Sequence, residues 1–141
     1  MLDADAREWA QWMLLFTLGG FFGNFVFSLT DHAANGFFNH VEWVSVIARA
    51  FAVGFLLVPL VSEVPREFFS LGIGILLLEA VVGVWGFLLH TSANLHGPST
   101  RPFDNFVYGA APLAPLLFPN LAILGLIALW RLRTYPSSIS S

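Results

Sequence analysis

The chain contains no cysteine and few charged side chains. The lack of cysteine excludes disulfides, thiolate metal sites, iron–sulfur clusters and haem attached through thioether bonds. A bound metal would therefore need histidine, carboxylate, carbonyl or water ligands. Charged residues make up only 11% of the chain, and its net charge of -3 at pH 7 is too small to indicate nucleic acid or another strongly charged partner.

Hydrophobic residues make up 57% of the 141 residues, and the mean hydropathy is +0.75. A soluble domain of this length needs more polar surface than nine acidic and six basic residues provide. Four segments have the roughly 20 apolar residues that cross a bilayer as a helix. They lie at about residues 9–29, 41–61, 68–89 and 112–130. The sequence therefore predicts a single-domain, all-α integral membrane four-helix bundle whose surroundings are a lipid bilayer.

The arginines indicate how the bundle is oriented. Four arginines flank the spans on one side, whereas only Arg101 lies beyond the spans on the other side. Basic residues accumulate on the cytoplasmic side of short loops, so we expect both termini in the cytoplasm of a bacterial cell with the protein in its inner membrane. Residues 30–40 and 91–111 are then two long extracytoplasmic loops. Aromatic residues expected at the cytoplasmic interface are Trp9, Trp12, Trp130 and Tyr135.

Every histidine of the chain falls on the predicted outer side. Imidazole is the commonest metal ligand, and packing of the helices would bring the two outer loops together. The sequence therefore predicts a metal site formed by His32, His40, His90 and His96. Polar side chains expected to hydrogen-bond to the ligating rings are Asp31, Glu42, Asn94 and Asp104.

Haem b is the alternative cofactor. Its axial ligands would be His90 with His40 or His32, and Gly83 and Gly86 would make room for the porphyrin between helices. Glycines in a membrane helix also serve simple close contact between helices, which is the competing interpretation.

None of the strong local signatures supports a metal site, since the chain has neither a His-Glu-x-x-His nor a Glu-x-x-His pattern. His90 is also placed to interact with the carbonyl end of a helix. The run from Asn39 to Glu42 has the spacing of a capping box, which would give Glu42 a structural role.

Two ionisable residues lie inside the predicted spans, Arg49 in the second and Glu79 in the third. An isolated charge near the bilayer centre costs roughly 2.5 to 3.5 kcal/mol on insertion scales, so neither side chain should face lipid. We expect the two to form an ion pair, directly or through water. This pair would either fix the register of two helices or mark a functional path. Pro119 is expected to kink the fourth span.

Three functions remain open at this point. The first is a redox or metal-handling component that binds a metal ion or haem at the extracytoplasmic face, with Arg49 and Glu79 tuning that site or moving a proton. The second is a noncatalytic subunit of a homo-oligomer or larger membrane complex. The third is a small oligomeric transporter or channel lined by the same two charged residues. The chain has no Ser, His and Asp constellation and no phosphate loop that would indicate a particular enzyme.

Overall fold

The computed structural model describes residues 2–37 and 39–134. In these residues the chain forms five α-helices and one 3-10 turn, and it contains no strand. The helices are α1 (Leu2–Ala34), α2 (Glu42–Val61), α3 (Arg66–Leu95), α4 (Pro102–Tyr108) and α5 (Leu117–Thr134), and the 3-10 turn is Ala114–Leu116. Four helical segments are long and apolar enough to cross a membrane. The expected all-α membrane bundle is therefore confirmed.

The four long helices form a closed ring. Helix α1 packs against α2 and α5, and α3 packs against the same two neighbours, so α1 and α3 lie diagonally opposite each other. Their shared core contains the fully buried side chains of Leu14, Phe21, Leu56, Leu76 and Leu129. Large apolar side chains on the outside of the ring stay exposed, as lipid-facing residues of a membrane protein do.

Successive long helices run in opposite directions, which gives the bundle two chemically different ends. The histidine end carries the α1–α2 and α3–α5 connections together with all four histidines. The basic end carries the start of α1, the end of α5 and the short α2–α3 connection, with Arg7, Arg66, Arg131 and Arg133. Trp9, Trp12 and Trp130 are exposed at this end, while Tyr135 lies outside the described residues.

Two helices are longer than their apolar segments indicate. Helix α1 begins seven residues before Trp9 and continues to Ala34, and α3 continues to Leu95. The apolar run marks only the part of a helix that meets hydrocarbon, whereas the backbone hydrogen bonds continue into the polar region. Helix α4 was not predicted, because its seven residues form no long periodic pattern.

Pro119 does not lie in the interior of a helix, where it was expected to cause a kink. Helix α5 begins at Leu117, after the 3-10 turn, and Pro119 is therefore the third residue of the helix. A proline in the first turn removes no intrahelical hydrogen bond, so the helix continues without a break. Pro112 lies before the 3-10 turn, and Pro115 lies within it.

Candidate functional site

The most unusual side chains in the core are the two predicted intramembrane charges. Arg49 on α2 is 4% exposed and Glu79 on α3 is 2% exposed. The Nε and Nη1 atoms of Arg49 and the Oε2 atom of Glu79 are buried without a hydrogen-bond partner. Buried polar atoms are nearly always hydrogen-bonded. Burying a charge without a partner costs roughly several kcal/mol. These atoms therefore require a polar partner.

Arg49 extends into the centre of the bundle. Its guanidinium carbon lies 3.5 Å from the centroid of the Phe118 ring on α5, the helix diagonally opposite α2. A cation over an aromatic face is attracted by the ring quadrupole, by about 2 kcal/mol when water is excluded. Phe118, which is 3% exposed, is thus a third member of the site. Sequence analysis missed it because nothing in the chain distinguishes it from the other 14 phenylalanines.

The direct form of the expected Arg49–Glu79 ion pair is not present. The charges are close enough to interact electrostatically. However, no nitrogen atom of Arg49 lies within 4 Å of a carboxylate oxygen of Glu79. A pair bridged by water or by another small polar group stays a prediction. The unpartnered atoms on both side chains are the groups that such a bridge would use.

One face of α3 is held against the segment that leads into α5. Nearest the histidine end, Asn94 Nδ2 donates a hydrogen bond to the carbonyl of Ala110 at 2.7 Å. One turn towards the centre, Nδ1 of His90 lies 2.9 Å from the carbonyl oxygen of Ala111. The carbonyls of Ala110 and Ala111 lie outside any α-helix, and these two side chains provide them with hydrogen-bond partners. Irregular backbone close to a membrane is tolerated when its polar groups are paired in this way.

Further along this face, glycines bring the two segments into contact. A Cβ atom on Gly86 would lie 3.1 Å from Pro115 Cβ. A Cβ atom on Gly83 would lie 2.5 Å from Pro119 Cδ and 2.8 Å from the Pro115 carbonyl oxygen. The space at these glycines is therefore filled by the start of α5. Close helix contact, the competing interpretation, therefore accounts for both glycines in this structure, and haem binding beside them stays a prediction.

The remaining histidines make separate local contacts. His32 Nδ1 lies 3.2 Å from Glu42 Oε2, which links the end of α1 to the start of α2. His96 Nδ1 lies 2.8 Å from the Ser92 carbonyl oxygen within its own helix end. His40 is exposed, and no side-chain contact to it is seen among the described residues. Within residues 2–37 and 39–134, no three histidine or acidic side chains come together in a way that could hold a metal ion.

The capping box expected at the start of α2 is not formed. Helix α2 begins at Glu42, its cap position is Val41, and no side chain caps its backbone. Asn39 Oδ1 accepts a hydrogen bond from the Val41 N–H at 3.1 Å instead. Glu42 lies beside His32 instead, so its alternative role as a cap is wrong, and its role beside a metal-binding histidine stays a prediction.

The other predicted histidine partners serve the loop. Asp31 is exposed on the last turn of α1, and its backbone carbonyl accepts hydrogen bonds from Asn35. Asp104 accepts a hydrogen bond from the Ser99 hydroxyl at 3.4 Å. Asn105, which sequence analysis did not select, is 7% exposed and bonds both the N–H and the carbonyl of Ser99. Asn94 and Asn105 therefore both hydrogen-bond to the backbone of this loop.

Comparisons of the chain with known protein families, with curated proteins and with solved structures find no match.

Proposed function

We propose that this protein binds and releases a proton at Glu79 inside the membrane, as the proton-handling part of a transport or redox process. The observation that carries the proposal is a carboxyl group that is 2% exposed, has an oxygen without a partner, and lies near an equally buried arginine that it does not touch. Intramembrane ionisable residues with these properties generally mark ion or proton pathways.

Two opposing effects act on the Glu79 carboxyl. Burial penalises its charged form, and the positive charge of Arg49 stabilises that form. Had the two side chains formed a direct ion pair, the carboxylate would be locked in place by short hydrogen bonds. Because the two side chains are not in direct contact, the carboxylate is free to accept and release a proton. The Phe118 ring holds Arg49 in place.

Infrared spectroscopy of the protein in lipid nanodiscs tests the proposal without a known substrate. As the pH is changed, we expect one component of the carbonyl stretch of protonated carboxylic acids, at the higher frequency typical of a buried group, to rise and fall, and we expect Glu79→Gln to remove that component alone. Glu67→Gln is the matched control and should leave that component in place, because Glu67 is exposed in the first turn of the same helix. A spectrum in which Glu79→Gln removes no titrating component would overturn the proposal, as would loss of the same component in Glu67→Gln.

Metal binding at the histidine end is a second candidate, favoured by one observation. The Nδ1 atoms of His90 and His96 both lie at hydrogen-bond distance from carbonyl oxygens. A neutral ring that donates from Nδ1 keeps its Nε2 lone pair free for a metal, as ligating histidines do. Since the described residues form no group of three histidine or acidic ligands, water or a second copy of the chain would complete the coordination at either histidine.

Zinc uptake after dialysis, measured by elemental analysis, tests the second candidate. We expect uptake to fall when His90 and His96 are both replaced by alanine. His40→Ala should leave uptake unchanged, because His40 is exposed and has no side-chain contact among the described residues. Equal losses in the two variants, or no uptake by the unmodified protein, would contradict metal binding at His90 and His96.

A further inference from the structure

A cavity of about 290 Å³ lies between α1 and α5 at the basic end, far from Glu79. Its deepest lining residues are Ala10 and Ala128, which are 2% and 0% exposed, and Trp9 and Met13 form its apolar wall. Small alanine side chains on both helices leave this space open. Arg131, an exposed residue, also lines it and is the only charged residue among the described side chains that do so.

The position of the cavity corresponds to the headgroup level of a bilayer. Trp9 is 73% exposed and Trp130, next to Arg131, is 61% exposed. Tryptophan concentrates at membrane interfaces, where its ring meets both apolar and polar surroundings. The apolar part of the cavity therefore lies towards the hydrocarbon, and its charged part lies towards the phosphate layer.

Arg131 is available to bind a ligand. It makes no ion pair with any carboxylate whose side chain the structure describes. An arginine guanidinium matches phosphate geometry and binds two phosphate oxygens at once. Basic pockets between membrane helices recognise lipid headgroups in this way.

We infer that this cavity is a binding site for one anionic phospholipid. Part of an acyl chain fills the space over Ala10 and Ala128, and Arg131 binds the phosphate of the headgroup. The cavity combines an apolar wall, an interfacial tryptophan and an arginine without an ion pair to a described carboxylate. This combination favours a lipid over a soluble anion, because a free phosphate makes no favourable contact with an apolar wall. The inference is independent of proton binding at Glu79.

Native mass spectrometry of the full chain released from nanodiscs tests this inference, with phosphatidylglycerol and phosphatidylcholine as the lipids. We expect one phosphatidylglycerol to be retained in preference to phosphatidylcholine. Arg131→Gln should weaken retention of phosphatidylglycerol about fivefold, the usual effect of one arginine near anionic lipid. Arg66→Gln is the matched control at the same end of the bundle and should have no effect on retention.

A second variant tests the apolar part of the site. Ala6 lines the cavity and is less deeply buried than Ala10, so Ala6→Leu fills space without entering the core. We expect this variant to lose the retained lipid whatever its headgroup.

Equal losses in Arg131→Gln and Arg66→Gln would overturn the inference in favour of general surface attraction. Displacement of the lipid by inorganic phosphate, or unchanged retention in both cavity variants, would also overturn it. Glu79→Gln should retain lipid normally, which separates this result from that of the proton-binding proposal.

Discussion

Gly83→Ala is expected to destabilise the protein by about 3 kcal/mol, the upper end of the usual range for an overpacked core. The added Cβ would lie 2.5 Å from a Pro119 ring carbon, 2.8 Å from the Pro115 carbonyl oxygen and 2.9 Å from Phe118 Cβ. None of these atoms is the far end of a flexible side chain, so they move only if α5 moves. Reversible unfolding in mixed detergent micelles, followed by circular dichroism, measures the loss.

Gly74→Ala is the matched control for this substitution. It makes the same chemical change in the same helix, at a position with no atom within 4 Å of the added Cβ. Because alanine favours a helix over glycine by up to about 1 kcal/mol in water, we expect this variant to be at least as stable as the unmodified protein. Equal stability of Gly83→Ala and Gly74→Ala would show that α3 and α5 do not make the close contact described here.

Arg49→Met is expected to cost roughly 3 to 5 kcal/mol, the usual effect of removing one partner from a buried pair of charges. Methionine preserves much of the apolar volume but leaves the Glu79 carboxylate in the core without a nearby positive charge. It also removes the cation from the Phe118 ring. The free energy of unfolding, measured near neutral pH as for Gly83→Ala, reports the loss.

A double substitution separates electrostatics from packing. Arg49→Met combined with Glu79→Gln removes both charges, so we expect much of the stability lost in Arg49→Met to return. The difference between the double variant and the sum of the single variants gives the interaction energy of the two sites. If the double variant is as unstable as Arg49→Met, the loss comes from packing around the arginine, and the two charges are not coupled.

Composition and apolar run length were sufficient to predict the bundle, because the bilayer requires every spanning backbone to satisfy its own hydrogen bonds. The same reasoning selected Arg49 and Glu79, since a charge inside a 20-residue apolar run can only face the interior of the protein. Their burial at 4% and 2% exposure agrees with that expectation. Hydropathy did not predict where α1 and α3 end, because both helices continue beyond their apolar residues into polar sequence.

The partners of the selected residues were beyond sequence reasoning. The pattern of Gly83 and Gly86 indicated close approach but not which segment approaches, and that segment turned out to be the proline-rich start of α5. Likewise, Glu42 had a local partner available in a capping box, yet it contacts His32 across the α1–α2 turn. Local spacing describes contacts within an element, whereas contacts between elements depend on how the whole ring packs.

The unequal lengths of the helices bear on the thickness of the surrounding bilayer. At a rise of 1.5 Å per residue, the 20 residues of α2 extend about 30 Å, close to the hydrocarbon thickness of a typical membrane. Helices α1 and α3, with 33 and 30 residues, extend well beyond it. In a thicker bilayer α2 and the 18-residue α5 therefore suffer hydrophobic mismatch before α1 and α3, and α2 has no spare length with which to respond. Since α2 carries Arg49, the lipid chain length of the host membrane acts directly on the helix that holds the buried positive charge.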